Sequence, residues 1–178
     1  SETSTTFTVG DVTVSGGVLS AFIGSGTNYS ATFTPTAGFT GQGAVSVAAG
    51  TFTDPAGNAN VAGALSPSIA VDTVRPTIAI ASNTSTLKAG QTATITFTLS
   101  EASADFTAAD VAATGGTISG FSGSGTSYSA TFTPTASFTG QGAISVAAST
   151  FTDAAGNDNA SGSITPPITI DTLSPTIT

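Results

Sequence analysis

Residues 92–99 alternate without a break between threonine and an apolar side chain. Ala93, Ile95, Phe97 and Leu99 fall on one side, and Thr92, Thr94, Thr96 and Thr98 on the other. A period of two is that of an extended strand with one face toward a core and one toward water. The pattern returns where Tyr128, Ala130 and Phe132 alternate with Ser129, Thr131 and Thr133. It returns again where Ile144, Val146 and Ala148 alternate with Ala143, Ser145 and Ala147. Shorter runs at 77–80, 111–113, 117–121 and 168–170 predict further strands. Gly115-Gly116, set between two of them, predicts a hairpin or a bulge. Helix signals are almost absent, and Gly, Pro, Asn and Asp punctuate the runs as turn formers do.

The pattern is written almost twice. Phe33-Thr34-Pro35-Thr36 returns as Phe132-Thr133-Pro134-Thr135, and Thr51-Phe52-Thr53-Asp54 as Thr150-Phe151-Thr152-Asp153. Residues 1–79 laid on 100–178 share 50 of 79 positions with no gap, so the repeat unit is 99 residues. That is the size of a domain, not of a solenoid rung, and it suffices to bury a core. The expected division is a partial repeat at 1–74 lacking its first two strands, a complete repeat at 75–173, and the start of another at 174–178. The natural chain is expected to continue in both directions. The first unit lacks the counterparts of Ile95, Phe97 and Leu99. Buried side chains of that kind contribute roughly 1.5–3 kcal/mol each, so the half-unit is not expected to fold alone. Upstream residues, or strands donated by another copy, would complete it.

About seven short strands in 99 residues predict an all-β chain of tandem immunoglobulin-like antiparallel β-sandwiches. A different Greek-key sandwich or a jelly roll is the rival topology, because the Cys and Trp signature of antibody domains is missing. The threonine rows read as ordinary strand propensity on a wet face. An ice-binding array would need flat, regularly spaced rungs that a repeat of this length does not offer.

Composition then removes whole classes of function. The chain has no His and no Cys, which excludes a Ser-His-Asp triad, a thiolate nucleophile, a disulfide framework and His- or Cys-ligated metals. Arg75 and Lys88 are the only basic side chains against ten acids, and the net charge is −8. No surface can neutralise a row of phosphates, so nucleic acid is excluded as a partner. No apolar run is long enough to span a bilayer, so membrane insertion is not expected. A glycosidase carboxylate pair would need an aromatic-lined cleft, and the aromatic residues sit at inward positions. Gly123-Ser124-Gly125 is not followed by Lys and reads as a turn, not a phosphate loop. The chain is therefore read as no enzyme, with no small-molecule substrate.

The acids remain. Asp153-Ala154-Ala155-Gly156-Asn157 is a turn on its composition, and the first copy carries Pro55 within it. Scattered acids can serve solubility alone, or this turn can hold an ion; the residues themselves leave both open.

Several strings resemble a known family. Asp72-Thr73-Val74-Arg75-Pro76-Thr77-Ile78 resembles the junction between bacterial Ig-like repeats. Leu99-Ser100-Glu101, the stretch from Phe106 to Val111 and Phe151-Thr152-Asp153-Ala154-Ala155-Gly156-Asn157 resemble the same repeats. Arrays of them form the long middle region of giant adhesins exported by type I secretion, including biofilm-associated and repeats-in-toxin adhesins. The resemblance implies an extracellular, cell-surface spacer stiffened by calcium at the inter-domain junctions. Its partners would be neighbouring repeats of the same chain, and other copies if a fibre forms. The strand order of such a sandwich would gather Asp72, Glu101, Asp153 and Asn157 where the chain enters the second repeat. Asp105 is a weaker candidate, because the first repeat has Thr6 there. Glu2, Asp54 and Asn58 are the first repeat's equivalents, and Asp171 that of the following junction. Absence of Cys suits secretion through a narrow channel without disulfides. Two other readings use the same scaffold: a carbohydrate- or protein-binding adhesive module, and a subunit of a surface fibre.

Overall fold

The computed structural model describes residues 1–177. The expected start of a further repeat at 174–178 therefore ends on a residue, Thr178, outside the described ones. The chain divides into two compact units, Ser1–Val74 and Arg75–Thr178. No helix among the described residues is long and apolar enough to cross a membrane.

In the first unit the strands are β1 (Val12–Ser15), β2 (Gly17–Ser25), β3 (Asn28–Pro35), β4 (Thr40–Val47), β5 (Gly63–Ala64) and β6 (Ile69–Asp72). In the second they are β7 (Ile78–Ser82), β8 (Thr86–Lys88), β9 (Ala93–Ser103), β10 (Val111–Thr114), β11 (Gly116–Pro134), β12 (Thr139–Val146), β13 (Gly162–Ser163) and β14 (Ile168–Asp171). Single 3-10 turns at Val9–Asp11 and Ala108–Asp110 precede β1 and β10. The fold is all-β, as the alternation predicts.

The second unit is a two-sheet sandwich. One sheet runs β11-β9-β7 and the other β10-β12-β14-β8, with β13 on β12. Every contact but one is antiparallel; β8 joins β14 in parallel, Leu87 opposite Ile170. β9 carries the alternation read from the sequence: Ala93, Ile95, Phe97 and Leu99 are buried and the threonines between them exposed. Facing residues of the other sheet, Ile144, Val146, Ile168 and Ile170, complete one core. Phe106 is its aromatic hub, within 4.9–5.7 Å (ring centroids) of Phe97, Phe121, Tyr128 and Phe151. Edge-to-face and tilted ring pairs of this kind add stability beyond the area they bury.

The structure also differs from the sequence reading: the runs at 117–121 and 128–133 form one strand, β11. Gly115-Gly116 makes no hairpin: β10 pairs with β12 and β11 with β9, so the chain changes sheets there. Gly115 has φ +72°, and a Cβ on it would lie 2.8 Å from the Gln141 carbonyl oxygen. Both the left-handed backbone and the close approach demand glycine. The strand read through Ala148 stops at Val146, and Ala148 is exposed.

The first unit repeats the second minus β7, β8 and β9. Its sheets are β1-β4-β5 with β6 on β4, and the two-stranded β2-β3. The consequence is visible in burial. Phe132, Ile144, Phe151 and Ile168 are at most 1% exposed, whereas their equivalents Phe33, Val45, Phe52 and Ile69 are only half-buried.

Candidate metal centre

Acidic side chains collect at one end of the second sandwich. Glu101 lies near the end of β9, and Asp153 opens the turn that follows β12. A carboxylate oxygen of each lies within 4.8 Å of the other's. Two anions so close repel each other unless a cation or a proton intervenes.

The turn fixes Asp153. The Asp153 N–H donates to the Asn157 carbonyl at 3.2 Å, and the Gly156 N–H donates to the Asp153 carbonyl at 3.2 Å. One carboxylate oxygen, Oδ1, accepts the N–H groups of Ala155 at 2.8 Å and Asn157 at 2.9 Å. Oδ2 accepts the Asn157 side-chain amide at 2.9 Å. Gly156 takes φ +87°, which closes the turn. Asp153 is buried. Burial, the largest single influence, pushes its carboxyl up, but the Asn157, Ala155 and Gly156 donors together outweigh it and hold it below the usual value. The carboxylate is thus kept ionised and oriented.

The first unit repeats this geometry. Asn58 donates its N–H to Asp54 Oδ1 and its side-chain amide to Asp54 Oδ2, both at 2.8 Å. These bonds, side-chain amide first, lower the Asp54 carboxyl, and a side-chain hydrogen bond with Glu2 acts in the same direction. Glu2, Asp54 and Asn58 line one cleft of about 390 Å³. The same Asp–Asn arrangement thus occurs in both repeats.

Asp72 and Asp171 end the last strands of their respective units. Asp72 Oδ1 accepts the Thr40 hydroxyl at 2.9 Å and the Val74 N–H at 3.2 Å. Asp171 Oδ1 accepts the Thr139 hydroxyl and the Leu173 N–H, both at 3.2 Å. Each unit therefore presets a carboxylate at its exit through its own backbone.

Asp105 goes elsewhere. It accepts the Ser103 hydroxyl at 2.7 Å, the Thr152 N–H at 3.0 Å and the Thr152 hydroxyl at 2.9 Å. The Ser103 hydroxyl first, then the Thr152 N–H, lowers its carboxyl. In the first unit Thr6 accepts the Thr53 N–H at the same place. This position clamps a strand end in both copies, with a carboxylate or a hydroxyl. Arg75, the one cation near the junction in sequence, turns Nε to the Asp158 carbonyl at 3.0 Å and one Nη to that of Asn159 at 3.5 Å.

Sequence reasoning passed over Asn159, which is fully buried. Its Oδ1 accepts the N–H groups of Thr150 and Phe151, and its Nδ2 donates to the carbonyls of Ala147 and Ala160. This amide sets the path of the chain between the end of β12 and the Asp153 turn. The only sequence signal was its return at Asn60, where the same four bonds form.

A two-sheet β-sandwich of this strand order is immunoglobulin-like. The chain belongs to the bacterial Ig-like domain family, which matches it at residues 1–71 and again at 72–170. The second match begins at Asp72, three residues before the second compact unit does. No curated protein and no solved structure matches the chain. Domains of this family are typically structural modules of extracellular or surface proteins, with roles in extension or adhesion, and are not typically catalytic.

Proposed function

We propose that the chain is a stretch of spacer from a large bacterial surface adhesin of the type I-secreted kind, stiffened by calcium where one repeat follows another. The observation that carries this reading is the Glu101–Asp153 carboxylate pair, within 4.8 Å and oriented by its own turn. Its counterpart in the first unit, Glu2 with Asp54 and Asn58, supports it. Each repeat offers two or three oxygen-bearing side chains where the chain enters it and one preset carboxylate, Asp72 or Asp171, where the chain leaves. The carboxylate leaving one repeat would complete the set entering the next: Asp72 with Glu101, Asp153 and Asn157. Such an all-oxygen set, with carbonyls and water, suits calcium, which takes six to eight oxygen ligands. Calcium there neutralises the repulsion and ties adjoining repeats together. Asp105 stays outside the ligand set.

The adhesive-module reading finds less support. A sugar platform needs an exposed aromatic face, and Tyr128 is buried with its hydroxyl on the Ser103 carbonyl.

The test is calorimetric titration of the chain with calcium. A dissociation constant on the order of 10⁻⁴–10⁻³ M is expected, as for extracellular modules. Asp153→Asn and Glu101→Gln should weaken binding at least tenfold, and Asp105→Asn should leave it unchanged. Absence of any calcium heat, with a melting temperature indifferent to chelator, contradicts the calcium reading. Saturable micromolar binding to a glycan or host protein would favour the adhesive module.

A further inference from the structure

We infer that Arg75, Pro76 and Thr77, the segment by which the chain enters the second unit, form a brace that holds the Glu101 and Asp153 carboxylates in register, with the Arg75 guanidinium as its fastening. This deepens the calcium reading above and rests on it. The two acids sit far apart in sequence and on different segments of the second unit, so their separation has to be set by whatever joins those segments.

A continuous run of hydrogen bonds joins them. It starts at the Asp153 turn, whose returning limb, residues 158–160, lies beside 151–153. Asp158 bridges Thr152, and the Asn159 N–H donates to the Phe151 carbonyl at 3.0 Å. The returning limb also meets the entry segment. The Ala160 N–H donates to the Pro76 carbonyl at 2.9 Å. Arg75 Nε donates to the Asp158 carbonyl at 3.0 Å, and one Nη to that of Asn159 at 3.5 Å. The entry segment in turn meets the end of β9. The Thr77 N–H donates to Ser100 Oγ at 2.8 Å, and the Ser100 N–H to the Thr77 carbonyl at 2.9 Å. That is one rung beyond Ile78 and Leu99, a paired position of β7 and β9. Glu101 is the next residue along. The path from Asp153 to Glu101 thus runs through 158–160, 75–77 and Ser100, with the entry segment in the middle.

Packing stiffens the brace. Pro76 is fully buried, and its ring fixes its own φ. Gly162, just past the returning limb, lies so close to Ile78 that a Cβ on it would come within 2.7 Å of the Ile78 carbonyl oxygen. Arg75 is exposed, and its contribution is the pair of carbonyls it grips. Where the repeat returns, Ser174 stands in its place, with a side chain too short to grip two carbonyls at once. Groups that orient metal ligands set metal affinity without touching the ion. An ion held by Glu101 and Asp153 would in turn tighten 75–77, and so stiffen the chain where it enters the unit. Charge alone gives Arg75 the opposite sign: removing a cation near two acids should strengthen calcium binding. The two roles are therefore separable.

Calorimetric titration with calcium compares the 1–178 chain with Arg75→Ser, Arg75→Lys and Lys88→Ser. Arg75→Ser should weaken calcium binding about tenfold, the scale on which groups that orient metal ligands act, and Arg75→Lys should weaken it less. Lys88→Ser removes the same charge from β8 and should not weaken binding. Melting of Arg75→Ser in excess chelator should match the parent, because the side chain is exposed. Amide hydrogen exchange gives a second readout: calcium should slow Thr77 and Ala160 in the parent, and slow them less in Arg75→Ser. A parent that gives no calcium heat contradicts the calcium reading and this inference together. A parent that binds calcium while Arg75→Ser binds as tightly or more tightly overturns the brace alone. So does an equal loss in Lys88→Ser, or a loss in Arg75→Ser matched by a lower melting temperature in chelator, which would make Arg75 a structural residue only.

Discussion

The buried Asn159 amide accepts two backbone N–H groups and donates to two carbonyls. Asn159→Ala strands two N–H groups and two carbonyls, and unsatisfied buried groups cost about 1–3 kcal/mol each. With partial access of water, a loss of about 3 kcal/mol in urea denaturation is expected; less than about 1 kcal/mol would show that the amide is dispensable. Asp105, Asp54 and Asp153 are all held below the usual aspartate range by the hydrogen bonds they accept. Folding therefore gains from them fully above the unfolded-state value. That gain is lost as pH falls through their lower folded values. Stability should be flat from pH 7 to 5 and decline below about pH 4. Asp105→Asn should make that decline shallower, and an unchanged acid limb would show that the Thr152 clamp is not ionic. The Asp153 turn was legible in the sequence because its chemistry is local: Asp, Gly and Asn within five residues form it wherever they occur. Asn159 was not, because its meaning depends on Ala147, Thr150 and Phe151 lying on the far side of that turn.

Among the elements, β9 was the most legible, since eight alternating residues state both its period and its buried face. β8 and β13 escaped notice because strands of two or three residues have no period to read. The Gly115 misreading has the same root: whether a glycine pair closes a hairpin or lets the chain cross between sheets depends on distant partners, here Val111 with Val146 and Ser127 with Thr98. Gly115→Val should be costly on two counts. The left-handed backbone penalises a β-branched side chain, and its Cβ would press the Gln141 carbonyl. We expect a loss of at least about 2 kcal/mol, measured by thermal melting; a loss below about 0.5 kcal/mol would show that neither the backbone nor the close approach demands glycine. Phe106→Ala, which removes the hub of the aromatic cluster, should cost about 3–5 kcal/mol.

For the whole molecule, the gap-free likeness of the two repeats, 50 of 79 positions, fits the proposed length-setting role, in which each unit contributes reach and no unit contributes a unique site. Deleting one 99-residue unit from a longer array should shorten it without altering binding by domains elsewhere in the protein, measured by surface adhesion with the terminal domains intact. Calcium at a hundredfold excess over its dissociation constant should add about 2.7 kcal/mol to the stability of the unit that binds it. The most direct test of the central claim is small-angle scattering from an array of several complete repeats, in calcium and then in excess chelator. A long, narrowly distributed maximum dimension is expected in calcium, shortening and broadening on chelation, with Asp153→Asn in every repeat matching the chelated profile. An array equally extended in both conditions would contradict it.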